Sequence, residues 1–407
     1  MGPDFESFEL GEIRLVGGRI DSLSKTVVAH GETVVDADGA FVLPGLVDAH
    51  VHLDLEGGDD ILAGWRASRE VRDRVIWRNG LRALASGTTS VRDLGSADYA
   101  ALEYGRRVAA AAIVGPRVAA CGRMIMQTGG HAWQAGRQAD GPWDVRRAVR
   151  EQVRERAQLI KVMASAGFST PGDVHRGEFT LEELCAAVQE AHRSGLPVAA
   201  HAHAADGIAA CLEAGIDTIE HGAFLEPGQI TEMAGRGTPL VPTLRAIDVI
   251  GPDTPVAAEV LEKVEAGRAR YETSIRAAIE GRVAIAAGTD AGTSFNTHGR
   301  LVDELERYVE LGMQPVEALR AAIIVAGRLV GADVGELSPG AAADLLVVEK
   351  DPRHDLGALR SLRHVIRDGQ ILDLEWLNGI VDSFSEGDGA ESSGESAKEG
   401  DRSEVSR

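Results

Sequence analysis

Cysteine is scarce in this chain. Three of 407 residues carry a thiol, Cys121, Cys185 and Cys211, and no C-x-x-C pair occurs. That excludes a disulfide framework and a zinc ribbon, makes a reducing cytoplasm the expected compartment, and leaves three ordinary buried thiols. No apolar run is long enough to span a membrane. The acidic start, MGPDFESFELGE, lacks the apolar region of a secretory signal, and it lacks the Ser or Thr at position 6 of a myristoylation motif. Positive charge is in deficit as well: 42 Lys and Arg against 63 Asp and Glu give a net charge of −21. Nucleic acid and anionic membrane are therefore not expected as partners, and an anionic substrate would need a locally positive pocket.

What is present is material for a large core, with hydrophobic residues at 44%. The length suits one α/β barrel of about 250 residues with a smaller unit attached. Residues 8–43 alternate short apolar runs with Gly and Asp turns, and the same β-hairpin grammar returns in GELSPGAAADLLVVEKDP and LRHVIRDGQIL. Between them, apolar runs alternate with segments of helical period such as RRAVREQVRERAQ and TLEELCAAVQEAHRSG. Eight candidate strands lie near VDAHVHL, TTSVRDL, RVAACGRMI, LIKVMAS, PVAAHAH, TIEHG, LVPTL and VAIAAGTD. Strands alternating with helices indicate parallel βαβ units. The fold expected is α/β, a TIM-like (β/α)8 barrel over residues 45–334, with a small composite β-sandwich formed by both chain ends, 1–44 and 335–384. The polar acidic tail, 385–407, is expected to be disordered.

In a parallel barrel the functional face lies at the C-terminal ends of the strands. Strand one ends in His50 and His52, which share a face because residues i and i+2 of a strand point the same way. Strand four carries Lys161, strand five ends in His201 and His203, strand six in His221, and strand eight in Asp290. Imidazole and carboxylate gathered on one rim are metal-competent. The lysine is the odd member. Flanked by Ile160, Val162 and Met163, its ammonium loses solvation, which favours the neutral amine. Such an amine can add carbon dioxide and become a bridging carbamate, or it can stay charged and pair with Asp290.

These motifs, PGLVDAHVHL, IKVMASAG, HAHAADGIAACLEAGIDTIEHG and AAGTDAG, resemble the binuclear metal-dependent hydrolases of the amidohydrolase superfamily. The resemblance is to its prolidase and carboxypeptidase-like, imidazolonepropionase-related branch, which includes ochratoxin-type amidases, and it covers most of residues 8–375. It implies two divalent ions, with zinc expected and manganese or cobalt open, bridged by a carboxylated Lys161 and a hydroxide. By position, His50, His52 and Asp290 hold one ion and His201 and His221 the other. His201 is chosen over His203 because it stands twenty residues before His221, as in the family. His203 then becomes a substrate contact. The hydroxide attacks the carbonyl, and Asp290 carries the proton to the leaving amine. The resemblance also implies assembly into a homo-oligomer.

His131, in TGGHAW after strand three, follows two glycines that let the backbone approach a ligand, and it is expected to donate to the oxyanion. Arg245, in VPTLRAIDVI, stands where relatives often place an aromatic residue nearby, and it is a candidate for pairing with a substrate carboxylate. Arg123 is the second candidate for that pairing, and His298 is a further substrate contact. His30, His175, His192, His354 and His364 have no partners in the pattern and read as surface or structural. Together these point to a small-molecule substrate: a dipeptide or N-acyl amino acid with a free carboxylate, as for an Xaa-Pro dipeptidase or carboxypeptidase. A lactone or cyclic amide hydrolase, or a deaminase, is the rival on the same fold. A non-catalytic scaffold would lack ligands that are all present here.

Overall fold

The protein is described from a computed structural model, which covers residue 5 and residues 7–26, 33–168 and 173–391. His30 and residues 392–407 of the tail lie outside the described residues. The chain opens with a hairpin, β1 (Glu12–Val16) and β2 (Arg19–Ser24), turned at Gly17 and Gly18 with φ of 56° and 75°. Both central residues of such a tight turn need positive φ, which glycine adopts without a Cβ clash.

After β3 (Phe41–Pro44) come β4 (Leu46–Val51), β5 (Thr88–Asp93) and β6 (Arg117–Ala120). They are followed by β7 (Ile125–Met126), β8 (Arg137–Gln138) and β9 (Ile160–Met163). Next are β10 (Val198–Ala202), β11 (Thr218–His221) and β12 (Leu240–Val241). The chain closes with β13 (Leu345–Val348), β14 (Leu362–Arg367) and β15 (Gln370–Ile371).

Strands β4-β5-β6 form one parallel sheet and β12-β11-β10-β9-β7-β8 another. Every residue of β4, β5, β9, β10 and β11 is buried, as expected of parallel strands covered on both faces by helices. The covering helices carry the expected start signals. Leu181–Arg193 begins with a capping box between Thr180 and Glu183, and Arg69–Ala85 begins at Ser68, whose hydroxyl accepts from Val71 N–H.

Residues 283–291 link the two parallel sheets. Leu240 N donates to Ala284 O (2.9 Å) on one side, and Ala49 N donates to Ala287 O (2.9 Å) on the other. Parallel bridges pair Leu240 with Ile285 and Val51 with Ala291. Strands from both chain ends share a four-stranded antiparallel sheet, in the order β15-β14-β13-β3.

Three local expectations change. The third expected strand splits into β6 and β7, because Gly122 turns the backbone into the left-handed region (φ 76°). The eighth, VAIAAGTD, forms hydrogen bonds and isolated bridges but no continuous ladder. The Asp48 carboxylate takes the Thr289 N–H (3.0 Å), and Asp290 sits at φ 58°. Finally, Leu374–Glu391 is a helix that crosses the expected boundary at 384/385, so residues 385–391 are helical rather than disordered. Asp373 caps its first turn by accepting from Trp376 N–H (3.0 Å), and Leu377 is buried against Leu81 and Leu84. Among the described residues no helix is long and apolar enough to cross a membrane.

Candidate metal centre

The residues named on the rim converge. Asp48 accepts from the Thr289 hydroxyl (2.6 Å) and from its N–H, fixing the turn in which Asp290 adopts a left-handed backbone. That turn aims Asp290 Oδ1 at His50 Nε2 (3.3 Å) and His52 Nε2 (3.2 Å). His221 also ends its strand at positive φ (73°), which carries its ring to 5.0 Å from that of His50 and 4.6 Å from that of His201. A non-glycine residue in this region is uncommon, and two of them here re-aim ligand-type side chains toward one centre.

Outer partners set which ring nitrogen faces inward. His50 Nδ1 lies 2.9 Å from Glu220 Oε2, His52 Nδ1 lies 2.8 Å from the Gly95 carbonyl, and His221 Nδ1 lies 2.6 Å from Thr243 Oγ1. Two overlapping groups bring their potential ligand atoms within 4.8 Å of one another: His201, His203 and His221, and His50, His221 and Asp290. The geometry therefore sets His203 as near to His221 as His201 is, with ring centroids at 4.7 Å and 4.6 Å.

Electrostatics match ligand duty. Burial lowers His50 to about 4 and His203 to about 3, and drives His201 and His221 well down. These imidazoles are neutral near pH 7 and keep a lone pair. Burial also lowers His52, but the hydrogen bond and charge of Asp290 outweigh it and raise this group. Burial pushes the Asp290 carboxyl up, and His50 and His52 outweigh it and hold the group below its ordinary value.

Lys161 is 1% exposed, its Nζ has no hydrogen-bond partner among the described residues, and burial lowers it from 10.5 to about 8. No salt bridge to Asp290 forms, because Asp290 is turned to His50 in β4 and to His52 just beyond it. Neutral imidazoles, a carboxylate and an orphaned buried amine are a donor set that fits divalent ions of the zinc, manganese or cobalt type.

The His131 ring stacks on His201 at 4.3 Å. It is seated on Gly167, where a Cβ would stand 2.3 Å from its Cε1. Its backbone N–H donates to the Glu178 carboxylate (3.0 Å), and burial lowers its imidazole to about 4.

The arginines are engaged within the protein. Arg123 donates to the carbonyls of Ala135 and Gly136, which staples the loop that carries His131. Arg245 pairs with Asp303 (2.9 Å), while its buried Nε has no partner among the described residues. His298 is buried with Nε2 3.2 Å from the His52 carbonyl, which makes it a brace behind strand β4. His175 lines a cavity of about 520 Å³ together with Asp206, Phe224, Glu226 and Arg270. Phe168 lies between this cavity and the centre, 4.8 Å from the His203 ring and 6.2 Å from Phe224.

The sequence pattern assigned no role to Glu220, Thr243 and Asp48, which hydrogen-bond to His50, His221 and the His50 backbone, or to Arg92, which holds Glu220. A signal existed in Glu220, a carboxylate one residue before His221 inside a buried strand.

Known proteins resemble this chain over most of its length. The amidohydrolase family matches residues 41–373. Ochratoxinase of Aspergillus niger is 32% identical over 376 residues, covering 81% of this chain and 75% of its own length. A solved Xaa-Pro dipeptidase with methionine bound in its active site superposes with a TM-score of 0.82 at 30% identity, over 89% of this chain and 94% of that one. A solved prolidase complexed with N-methylphosphonate-L-proline superposes with a TM-score of 0.82 at 26% identity, again over 89% and 94%.

Proposed function

Because this chain belongs to the amidohydrolase family and is a hydrolase of carbon–nitrogen amide bonds, we propose that it is a binuclear metal enzyme. Its substrates, in this proposal, are dipeptides or N-acyl amino acids with a free carboxylate. One observation carries the reading: neutral buried imidazoles and Asp290 surround a centre beside an amine that has no hydrogen-bond partner among the described residues. The strand hydrogen bonds support a closed eight-stranded barrel, and the sheet shared by both chain ends supports a composite β-sandwich beside it.

His50, His52 and Asp290 would hold one ion, His201 and His221 the other, and Lys161, as its carbamate, would bridge them. When bound there, divalent ions would supply a nucleophile at neutral pH and a Lewis acid for the scissile carbonyl. Asp290 takes the proton released on attack and returns it to the leaving nitrogen, a base that becomes an acid. His131, neutral and held over His201 by Gly167, donates its ring N–H to the developing oxyanion. His203 and Phe168 form one wall of the substrate site, which opens toward the cavity beside Phe224 and Arg270. The free Nε of Arg245 is the donor proposed for the substrate carboxylate.

The relatives favour this substrate class, since the bound methionine and the proline phosphonate both belong to amino-acid chemistry. The test is amine release by zinc-loaded protein from dipeptides ending in Pro, Arg, Lys or hydrophobic residues, N-acyl amino acids, their amidated counterparts, and lactones. Release that requires a free carboxylate is the expected result. Lactone turnover with silent dipeptides would keep the centre and discard the substrate class.

A further inference from the structure

We propose that Glu220, clamped by Arg92 and Thr218, is the positioning residue that fixes His50 in the one tautomer able to bind metal. The carboxylate lies in the strand interior, completely buried, and Arg92 is among the largest fully buried side chains of the protein. Glu220 Oε1 accepts from Arg92 Nη2 (2.7 Å) and from the Thr218 hydroxyl (2.7 Å), and Oε2 faces His50 Nδ1 at 2.9 Å. Arg92 is itself held by the Ala49 carbonyl at Nε (2.6 Å) and by Thr218 Oγ1 at Nη1 (3.2 Å). The assembly therefore ties β4, β5 and β11 together directly beneath the centre.

The direction of each hydrogen bond follows from chemistry. A guanidinium can only donate and an ionised carboxylate can only accept. With Oε1 taken by Arg92 and Thr218, Oε2 is left to accept from His50, so the proton of the imidazole sits on Nδ1. Its Nε2 lies 3.3 Å from Asp290 Oδ1 and forms no hydrogen bond to it, so with the proton on Nδ1 this nitrogen keeps the lone pair. A carboxylate behind a ligating imidazole also raises its basicity and fixes its ring plane. His52 and His221 are backed instead by neutral oxygens, from Gly95 and Thr243, so His50 is held by charge where they are not.

This inference rests on the reading of the centre as a two-ion site, and the test separates the two. In Glu220→Gln, Arg92 still requires an oxygen acceptor, so the new amide must turn its NH2 toward His50. Nδ1 then becomes the acceptor, and the proton moves to Nε2, the atom a metal needs. A second variant, Arg92→Met with Glu220→Leu, replaces the buried pair with apolar groups of similar size, a change that folded proteins commonly tolerate.

Ring-nitrogen NMR of the metal-free proteins reads the His50 tautomer, chelator competition reads zinc affinity, and thermal melting reports the fold. Expected in wild type are the Nδ1–H tautomer and two zinc equivalents. Glu220→Gln shows the Nε2–H tautomer and a loss of roughly 10–100-fold in affinity at one equivalent, with a near-wild-type melt. The double variant loses the single tautomer and the same affinity. Wild-type tautomer and zinc affinity in Glu220→Gln would overturn the inference and leave the two-ion reading standing. Wild-type protein that binds no zinc would overturn both.

Discussion

Lys161→Met should stabilise the metal-free protein while removing its activity. The lysine is 1% exposed, and its Nζ has no hydrogen-bond partner among the described residues. Burial lowers it from 10.5 to about 8. At about 1.4 kcal/mol per pH unit, that drop corresponds to about 3 kcal/mol. Below pH 8 the amine is protonated in both the folded and the unfolded chain, and the folded state carries the whole desolvation cost. Between pH 8 and 10.5 the folded chain releases this proton while the unfolded chain keeps it, so stability rises with pH across that window. Above 10.5 the cost is absent. Methionine keeps an unbranched apolar stem of similar length without the charge. At pH 7 the metal-free variant should therefore be more stable by about 3 kcal/mol, roughly 3–4 °C in melting midpoint for a chain of this length. The advantage should vanish by pH 10.5. Thermal unfolding of chelator-stripped protein at the two pH values measures it, and amine release by zinc-loaded variant should be undetectable. A variant no more stable than wild type at pH 7, or equally favoured at both pH values, would refute the account of Lys161 as a buried amine under strain.

Two further substitutions probe the groups that handle the proton and the oxyanion. Asp290→Asn keeps the shape but cannot carry a proton, so kcat should fall by roughly 10³-fold with an unchanged circular dichroism spectrum; near-wild-type turnover would remove Asp290 from proton transfer. Gly167→Ala places a methyl 2.3 Å from His131 Cε1 and pushes the ring off His201. Its kcat should drop by roughly 10²-fold with KM little changed, and a change confined to KM would assign His131 to substrate binding.

The rim histidines were legible because strand geometry is local. H-x-H at 50 and 52 needs only the two-residue period of extended backbone to share a face, and at the end of β4 both rings reach Asp290 Oδ1. The strands themselves were legible as apolar runs between segments of helical period, one of which is the helix Leu181–Arg193. What lay beneath was hidden because it depends on pairing between distant strands. Glu220 and Arg92 look like stray charges in apolar runs until β11 and β5 bring them to 2.7 Å. Arg123 and Arg245 are the opposite case. Their charge was visible, but the Ala135 and Gly136 carbonyls and Asp303, which occupy them, come from loops and helices whose placement no spacing encodes. The helix Leu374–Glu391 was missed because its polar half offers no periodic apolar face. Its anchor is Leu377, set into the surface of another helix.

The sheet shared by the two chain ends has a consequence for synthesis. Phe41 of β3 pairs with Val348 of β13, a partner made roughly 300 residues later. At about 5–20 residues per second, the ribosome leaves β3 without its neighbour for roughly 15–60 s. Through that interval the strand is a bare edge, open to pairing with other nascent chains. Slower decoding or loss of these late strands would lengthen the exposure, so correct pairing of β3 is tied to the synthesis of residues 345–367, far in the chain from the strands that carry the candidate centre.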